Sequence, residues 1–378
     1  VGEADGKGDR VSCARRPPAR GRSVWTPANS CARLDLHNGK RCEAIRCLRS
    51  PAHFLDGVWN PFLPFLSHPG VNFRRETWTM TSHSFLQSLQ AGEVLVADGA
   101  TGTTLLERGL PRGTPGEAWV LDRPREILGV HRSFIEAGAR IVLTCTFGAS
   151  PVRLRGGPLE DRMAAINRRA VELAREAAAD RPVLVGGSIG PSGVLLKPLG
   201  RLAPEEASDS FSRQARVLAE AGADLLVIET QYDLAEAALA VQAARSVSSL
   251  PVVCTFSFDR GSHTMMGVSP ARVGKELESL GADVVGINCG RSLEENLTAL
   301  GQLRAHCSLP VWFKPNAGLP EVDGEGKARY RTTPEAMAVL VPAWIEAGAR
   351  VVGGCCGTSP QHLEQIARAV GKARGAAS

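Results

Sequence analysis

The sequence predicts an α/β fold, a (β/α)8 TIM barrel preceded by an irregular N-terminal leader. Two observations carry this. Short Val/Ile/Leu-rich runs alternate strictly with amphipathic helical patterns, and the runs are near-continuous in apolar character, as strands of a parallel sheet covered by helices are. Eight such units within about 280 residues match the size of a barrel.

The strands are read at 94–97, 141–146, 183–187, 225–229, 252–258, 284–288, 311–314 and 351–354. Between them, helices are predicted at 126–137, 161–179, 204–221, 234–244, 270–280, 293–305 and 334–347, with 361–370 closing the chain. Four helices run into Ala-Gly-Ala or Leu-Gly-Ala at 137–139, 221–223, 280–282 and 347–349. There glycine supplies the left-handed residue that stops a helix. A doubly wound open sheet is the competing architecture. It calls for Gly-x-Gly-x-x-Gly after a strand, and Asp98-Gly99-Ala100-Thr101-Gly102-Thr103 after the first strand lacks that spacing.

Residues 1–84 read as leader and 85–378 as barrel. The leader has no helical or strand period, and Arg15-Arg16-Pro17-Pro18 and Asn60-Pro61-Phe62-Leu63-Pro64 interrupt any element. Met80 opens the patterned region, so we expect it to be the natural start and the leader to be translated upstream sequence. Cys13, Cys31, Cys42 and Cys47 follow no usual zinc-module spacing.

Net charge is +5, but residues 1–79 hold 13 basic against 7 acidic side chains, which leaves the remainder at −1. The barrel therefore lacks the basic footprint of a nucleic-acid binder. No apolar stretch reaches the roughly 18–20 residues of a membrane span, and no secretory signal is present. We expect a cytoplasmic protein, in which ten cysteines serve metal binding or catalysis rather than a disulfide framework.

Strand ends at the C-terminal face form the mouth of such a barrel. Cys289 ends the sixth strand, and Cys355-Cys356 follows the eighth among glycines. Three thiolates with one position left open suit catalytic zinc; inert buried cysteine is the alternative. Asn316, ending the seventh strand, offers an amide oxygen for the open position. Asp98 and Glu229 also reach the mouth. Carboxylates beside the backbone N–H groups of the 98–103 turn, Gly99 and Thr103 among them, suit an amino acid zwitterion. The competing readings are that Asp98 caps the next helix and that Glu229 pairs with a core arginine. Lys314 opens a different class, a Schiff-base lyase or aldolase, and a non-catalytic thiol-binding barrel is a third.

Taken in order, Asp98-Gly99-Ala100-Thr101-Gly102-Thr103, Leu143-Thr144-Cys145-Thr146-Phe147-Gly148, Gly187-Ser188-Ile189-Gly190-Pro191, Ile228-Glu229-Thr230, Gly286-Ile287-Asn288-Cys289, Pro315-Asn316-Ala317-Gly318 and Gly353-Gly354-Cys355-Cys356-Gly357-Thr358 resemble the homocysteine S-methyltransferase family. The likeness covers about residues 92–372 and is nearest to the homocysteine-binding barrels of cobalamin-dependent methionine synthases. It implies Zn2+ on Cys289, Cys355 and Cys356, with Asn316 at the open position. It places Asp98, Gly99, Thr103 and Glu229 at the amino-acid end of homocysteine. It further implies methionine formation by methyl transfer to a zinc-bound homocysteine thiolate. Cys145 departs from the pattern, standing where methionine synthases often carry Asn. The donor is left open among betaine, S-methylmethionine, and a corrinoid or folate protein in trans. Betaine would call for an aromatic box, and the chain holds no Asp-x-His-x-x-Gly motif.

Overall fold

Eight parallel strands close around a filled interior in the computed structural model, which describes residues 82–377 apart from 261, 323 and 325–327. The expectations for the leader, Met80 and the leader cysteines lie outside the described residues. The chain runs through α1 (Ser82–Gln90), β1 (Leu95–Val96), α2 (Thr101–Glu107), α3 (Gly116–Asp122), α4 (Pro124–Glu136) and β2 (Ile141–Leu143). It continues with α5 (Pro151–Leu154), α6 (Met163–Ala178), β3 (Leu184–Ile189), α7 (Pro204–Glu220), β4 (Leu225–Gln231), α8 (Leu234–Val247) and β5 (Val252–Phe256). Next come α9 (Pro270–Ser279), β6 (Val284–Cys289), α10 (Leu293–Arg304) and β7 (Val311–Pro315). A small hairpin, β8 (Pro320–Val322) and β9 (Ala328–Tyr330), precedes α11 (Pro334–Val339), α12 (Val341–Glu346), β10 (Ala349–Val352) and α13 (Pro360–Ala377).

Barrel order is β1-β10-β7-β6-β5-β4-β3-β2. The seam between β1 and β2 is bridged by Ala97 against Ile141 and by Arg140 N–H donating to Val96 O at 2.7 Å. The predicted fold class therefore holds. Period-two alternation sorts each strand's side chains into two cores. Leu95, Leu143, Leu184, Leu225, Val227, Val253, Val284, Trp312 and Val351 fill the barrel, joined by Phe85 and Leu89 of α1. Those two residues lie one helical turn apart and close the end at which the strands begin. The intervening Val142, Val185, Leu226, Ile228, Val285, Ile287 and Phe313 face the helices. Cys254 and Cys307 are buried in the core.

The glycine stops are visible in detail. Gly138 (φ 107°), Gly222 (φ 97°) and Gly281 (φ 88°) lie in the left-handed region. Ala139 N–H donates to Phe134 O at 3.0 Å and Gly138 N–H to Ile135 O at 3.1 Å, a Schellman pair that starts the next strand two residues later. Helices α3 and α5 lie outside those read from the sequence, and two further details differ from expectation. The helix read at 334–347 is split into α11 and α12, because Pro342 has no N–H to bond Ala338. The β8–β9 hairpin was not predicted: its three-residue strands are too short for a period to register. Among the described residues no helix is long and apolar enough to cross a membrane.

His131 on α4 is fully buried, and neither ring nitrogen has a hydrogen-bond partner. Burial pulls its pKa down from 6.5 to about 4, against the opposing pull of Asp98. A histidine held neutral in the fold contributes stability that is complete above pH 6.5 and lost as pH falls toward 4. The full span is worth about 3 kcal/mol. Urea unfolding at pH 7 and at pH 4.5 should show a larger loss for the natural chain than for His131→Leu. Equal losses would show that the ring is not held neutral.

Candidate active site

The C-terminal ends of β6 and β10 meet across β7, and three sulfurs meet with them. Cys289 ends β6 with φ 58°, a conformation disfavoured by about 1–2 kcal/mol for a residue with a Cβ. Its carbonyl is fixed by Asn316 N–H at 3.1 Å and by Asn296 Nδ2 at 2.7 Å. Past β10, Gly353 and Gly354 let the chain pass closely. A Cβ on Gly353 would lie 2.7 Å from Ala97 O, and one on Gly354 would lie 2.3 Å from the Thr358 side chain. Cys355 N–H then donates to Pro315 O at 2.9 Å, and Ala317 N–H donates to Cys356 O at 2.9 Å. The adjacent cysteines are thus tied to the end of β7.

The three sulfur atoms lie within 4.8 Å of one another, the one such metal-competent group among the described residues. Cys289 and Cys355 approach to 3.1 Å, and all three are free thiols. So close together and out of water, they cannot all ionise unaided. Cys356 is drawn down to about 3 by hydrogen bonds from Cys289 and Cys355. Cys289 is pushed well above the thiol range by its hydrogen bonding to Cys355 and Cys356 and by burial. Cys355 rises to about 12: the hydrogen bond from Cys289 acts downward, but the one to Cys356 and burial outweigh it. A thiophilic cation is what would let three such sulfurs ionise together. Asn316 is held by Nδ2 donating to Gly290 O at 2.8 Å, while its Oδ1 is buried without a partner. It stands on the residue whose N–H bonds the Cys289 carbonyl, and a partnerless oxygen on such a residue suits a site that keeps one replaceable position.

Beside the sulfurs lies a cavity of about 450 Å3, lined by Asp98, the 99–103 turn, Cys145, Phe147, Glu229 and Lys314 among others. Asp98 is 1% exposed. Its Oδ1 pairs with Lys314 Nζ at 2.5 Å, and its Oδ2 accepts from Leu143 N–H at 2.8 Å. Asp98 does not cap α2; the residue there is Ala100, with no side-chain cap. Glu229 does not pair with an arginine. Its Oε1 accepts from Ser188 Oγ at 2.5 Å, which leaves Oε2 for the cavity. Burial pushes its carboxyl up to about 7, against the pull of Lys314. The first i→i−4 bond of α2 runs from Thr104 N–H to Ala100 O at 3.0 Å, so the amides of Thr101, Gly102 and Thr103 precede the helical ladder. Thr103 Oγ1 accepts from Gly357 N–H at 3.2 Å, linking this turn to the cysteine loop.

Lys314 is not poised for Schiff-base chemistry. Burial acts to lower its pKa, but Asp98 and Glu229 more than offset this and hold it above its ordinary value. A carbonyl-attacking lysine needs the reverse. Sequence reasoning missed Tyr330, which arrives on the unpredicted hairpin and lies against Gly357, the residue after Cys356. Its being one of only two tyrosines was no signal. It also missed Glu117, buried on α3 and accepting from Gly148 N–H at 2.5 Å. Cys145 lies in the same wall, its thiol pushed well above the usual range by burial and by Glu117, and so inert.

This structure is a (β/α)8 barrel with three sulfurs at one mouth beside an acid-lined cavity. The profile of the homocysteine S-methyltransferase family matches residues 95–370, and the chain belongs to that family. It is 32% identical over 299 residues to methionine synthase of Mycobacterium leprae, covering 75% of this chain and 25% of that protein. It is 30% identical over 315 residues to betaine–homocysteine S-methyltransferase 1 of Danio rerio, covering 77% and 76%. The metallated form of the Escherichia coli homocysteine methyltransferase MmuM superposes with a TM-score of 0.64 at 26% identity, covering 75% and 98%. The chain thus spans about a quarter of the length of the methionine synthases it matches.

The buried Asp98–Lys314 pair yields a prediction. Lys314→Met leaves a carboxylate uncompensated and should destabilise the fold by about 3–5 kcal/mol, with Asp98→Asn in the same chain restoring part of the loss. Denaturant titration of the three variants checks this. Simple additivity of the two single effects would show that the charges do not depend on each other.

Proposed function

We propose that this chain is a zinc-dependent homocysteine S-methyltransferase, forming methionine by moving a methyl group onto the sulfur of homocysteine. The observation that carries the reading is the meeting of three free, half-buried sulfurs with an acid-lined cavity at one barrel mouth. Family membership supports the acceptor, and the thiolate donor set supports the metal. Cys289, Cys355 and Cys356 would hold zinc, with Asn316 Oδ1 as the oxygen the substrate displaces. Zinc there supplies a Lewis acid that makes a thiol a competent nucleophile near neutrality, where a free thiol with a pKa of about 8.5 is mostly protonated.

The chain's own groups orient the amino acid. Glu229 takes the ammonium through Oε2, while Ser188 fixes the other oxygen. Asp98 lies at the same end and holds Lys314, whose charge keeps two acids in one small cavity from repelling each other. The amides of the 99–103 turn receive the substrate carboxylate. Gly99 brings that turn close, since a Cβ there would lie 2.6 Å from the Phe134 ring. With both ends of homocysteine held, its sulfur points toward the cysteines and the methyl carbon must approach from the open side, in line with its leaving group. Among the described residues the cavity wall carries one aromatic side chain, Phe147. A reducing cytoplasm is the compartment in which such thiols persist.

The test is methionine formation from homocysteine with betaine, S-methylmethionine, methylcobalamin and methyltetrahydrofolate each offered as donor. Cys289→Ala, Cys355→Ala and Cys356→Ala should lose zinc and methyl transfer together. Three variants that all retain stoichiometric zinc would reject the metal assignment.

Glu229→Gln should weaken homocysteine by about 2–4 kcal/mol, the loss expected when one partner of a desolvated charge pair is removed, while zinc content stays unchanged. In the natural chain, homocysteine affinity should fall as pH drops below about 7, where this carboxyl takes up a proton, and the Gln variant should show a shallower fall. Calorimetry across pH 5.5–8 reads both. Unchanged affinity in the variant would return Glu229 to a structural role.

A further inference from the structure

If the cysteines hold zinc, a methyl donor meets several sulfurs of similar chemistry, and only one of them is to be methylated. Hydrogen bonds within the chain distinguish them. Asn288 is 1% exposed, and its amide has one possible orientation. Oδ1 accepts from Thr230 N–H at 2.8 Å and from Thr255 Oγ1 at 2.7 Å, so the NH2 group is turned to the cysteines. There Nδ2 donates to Thr230 Oγ1 at 2.6 Å and to the sulfurs of Cys289 at 3.6 Å and Cys355 at 3.9 Å. On the other side the Tyr330 ring packs on Gly357, the residue after Cys356, which brings its hydroxyl toward that sulfur.

Tyr330 is held in place by several contacts. Its ring covers Gly357, where a Cβ would come within 2.2 Å of the ring atoms and where φ is 81°. The chain leaving β9 is pinned by His362. Nδ1 of that ring accepts from Ser359 N–H at 3.2 Å, so Nε2 carries the proton it donates to Thr332 O at 2.8 Å.

A hydrogen bond donated to a thiolate engages the lone pair that would otherwise attack carbon, and outer partners of this kind tune metal-bound ligands. We propose that Asn288 and Tyr330 are positioning residues that restrain the three cysteine sulfurs as nucleophiles, so that the methyl group goes to the substrate sulfur and not to the protein. The proposal rests on the zinc reading above but not on homocysteine as substrate. The reaction it guards against is balanced without a further reagent. A cysteine sulfur gives its electron pair to the methyl carbon, the bond from that carbon to its leaving group breaks, and the leaving group departs with its pair. No proton moves, because the sulfur is already ionised.

The test uses the full chain, loaded with zinc and checked for one zinc per chain, treated with iodomethane in the absence of homocysteine. Peptide mass spectrometry then locates each gain of a methyl group. Tyr330→Phe keeps the ring on Gly357 and removes only the hydroxyl; it should raise the rate of Cys356 methylation on the order of tenfold, with Cys289 and Cys355 unchanged. Asn288→Ala should shift methylation to Cys289 and Cys355. A general loosening of the site would raise all three rates together and would overturn the proposal, as would equal Cys356 rates in Tyr330→Phe and the natural chain. Failure of Tyr330→Phe to hold zinc would also overturn it, since the phenol would then be a ligand rather than a donor to sulfur. A natural chain that holds no zinc is separately recognisable at the loading step; it defeats the metal reading and this proposal with it.

Discussion

Partial burial of charge at the barrel mouth is the constraint on which the site depends. Charge placed there is costly unless it is answered within a few ångström. Asp98 is answered by Lys314 and a backbone N–H. Glu229, with a hydroxyl on one oxygen, titrates near neutrality instead of near 4.5. The cysteines divide one ionised group among three sulfurs. The same confined environment thus leaves Glu229 and the sulfurs each with more to gain from a nearby cation than they would have in open water.

Rigidity beneath the mouth makes this possible. Cys289 keeps a positive φ that few residues with a side chain adopt, and Thr230, next to Glu229, does the same at 61°. Strain at both positions, on the ends of β4 and β6, is offset by the filled barrel below. Backbone bonds from β7 and its following loop fix both cysteine loops, so the sulfurs are positioned by the sheet more than by their own rotamers. Gly353 matters because the chain passes within contact distance of Ala97 and Asp98, just past β1, and Gly354 because the Thr358 side chain fills the space a Cβ would need.

Much of this was legible in the sequence, for identifiable reasons. The Ala-Gly-Ala stops mark helix ends by local chemistry alone, and near-continuous apolar runs mark parallel strands. Once strand ends are known, Cys289, Cys355 and Cys356 follow, because a barrel brings all its strand ends to one face. Lys314 was harder: its partner Asp98 is 216 residues away, and nothing local distinguishes a paired lysine from a reactive one. Tyr330 was out of reach, since it sits on a hairpin whose three-residue strands leave no periodic trace. Asn288 could be placed at the mouth, but the orientation of its amide depends on Thr230 and Thr255 from two other strands.

The Asp98–Lys314 pair joins the ends of β1 and β7, the two strands that flank β10. Contacts this distant along a chain form late, because loop closure costs entropy before the contact repays it. The last barrel strand, followed at once by Cys355 and Cys356, therefore has to be in place before the pair and the sulfur cluster can exist together. A chain emerging from the ribosome carries Cys289 and the acids long before it carries a site. The three-sulfur group is in this way a product of the closed barrel, complete only once its last strand has joined.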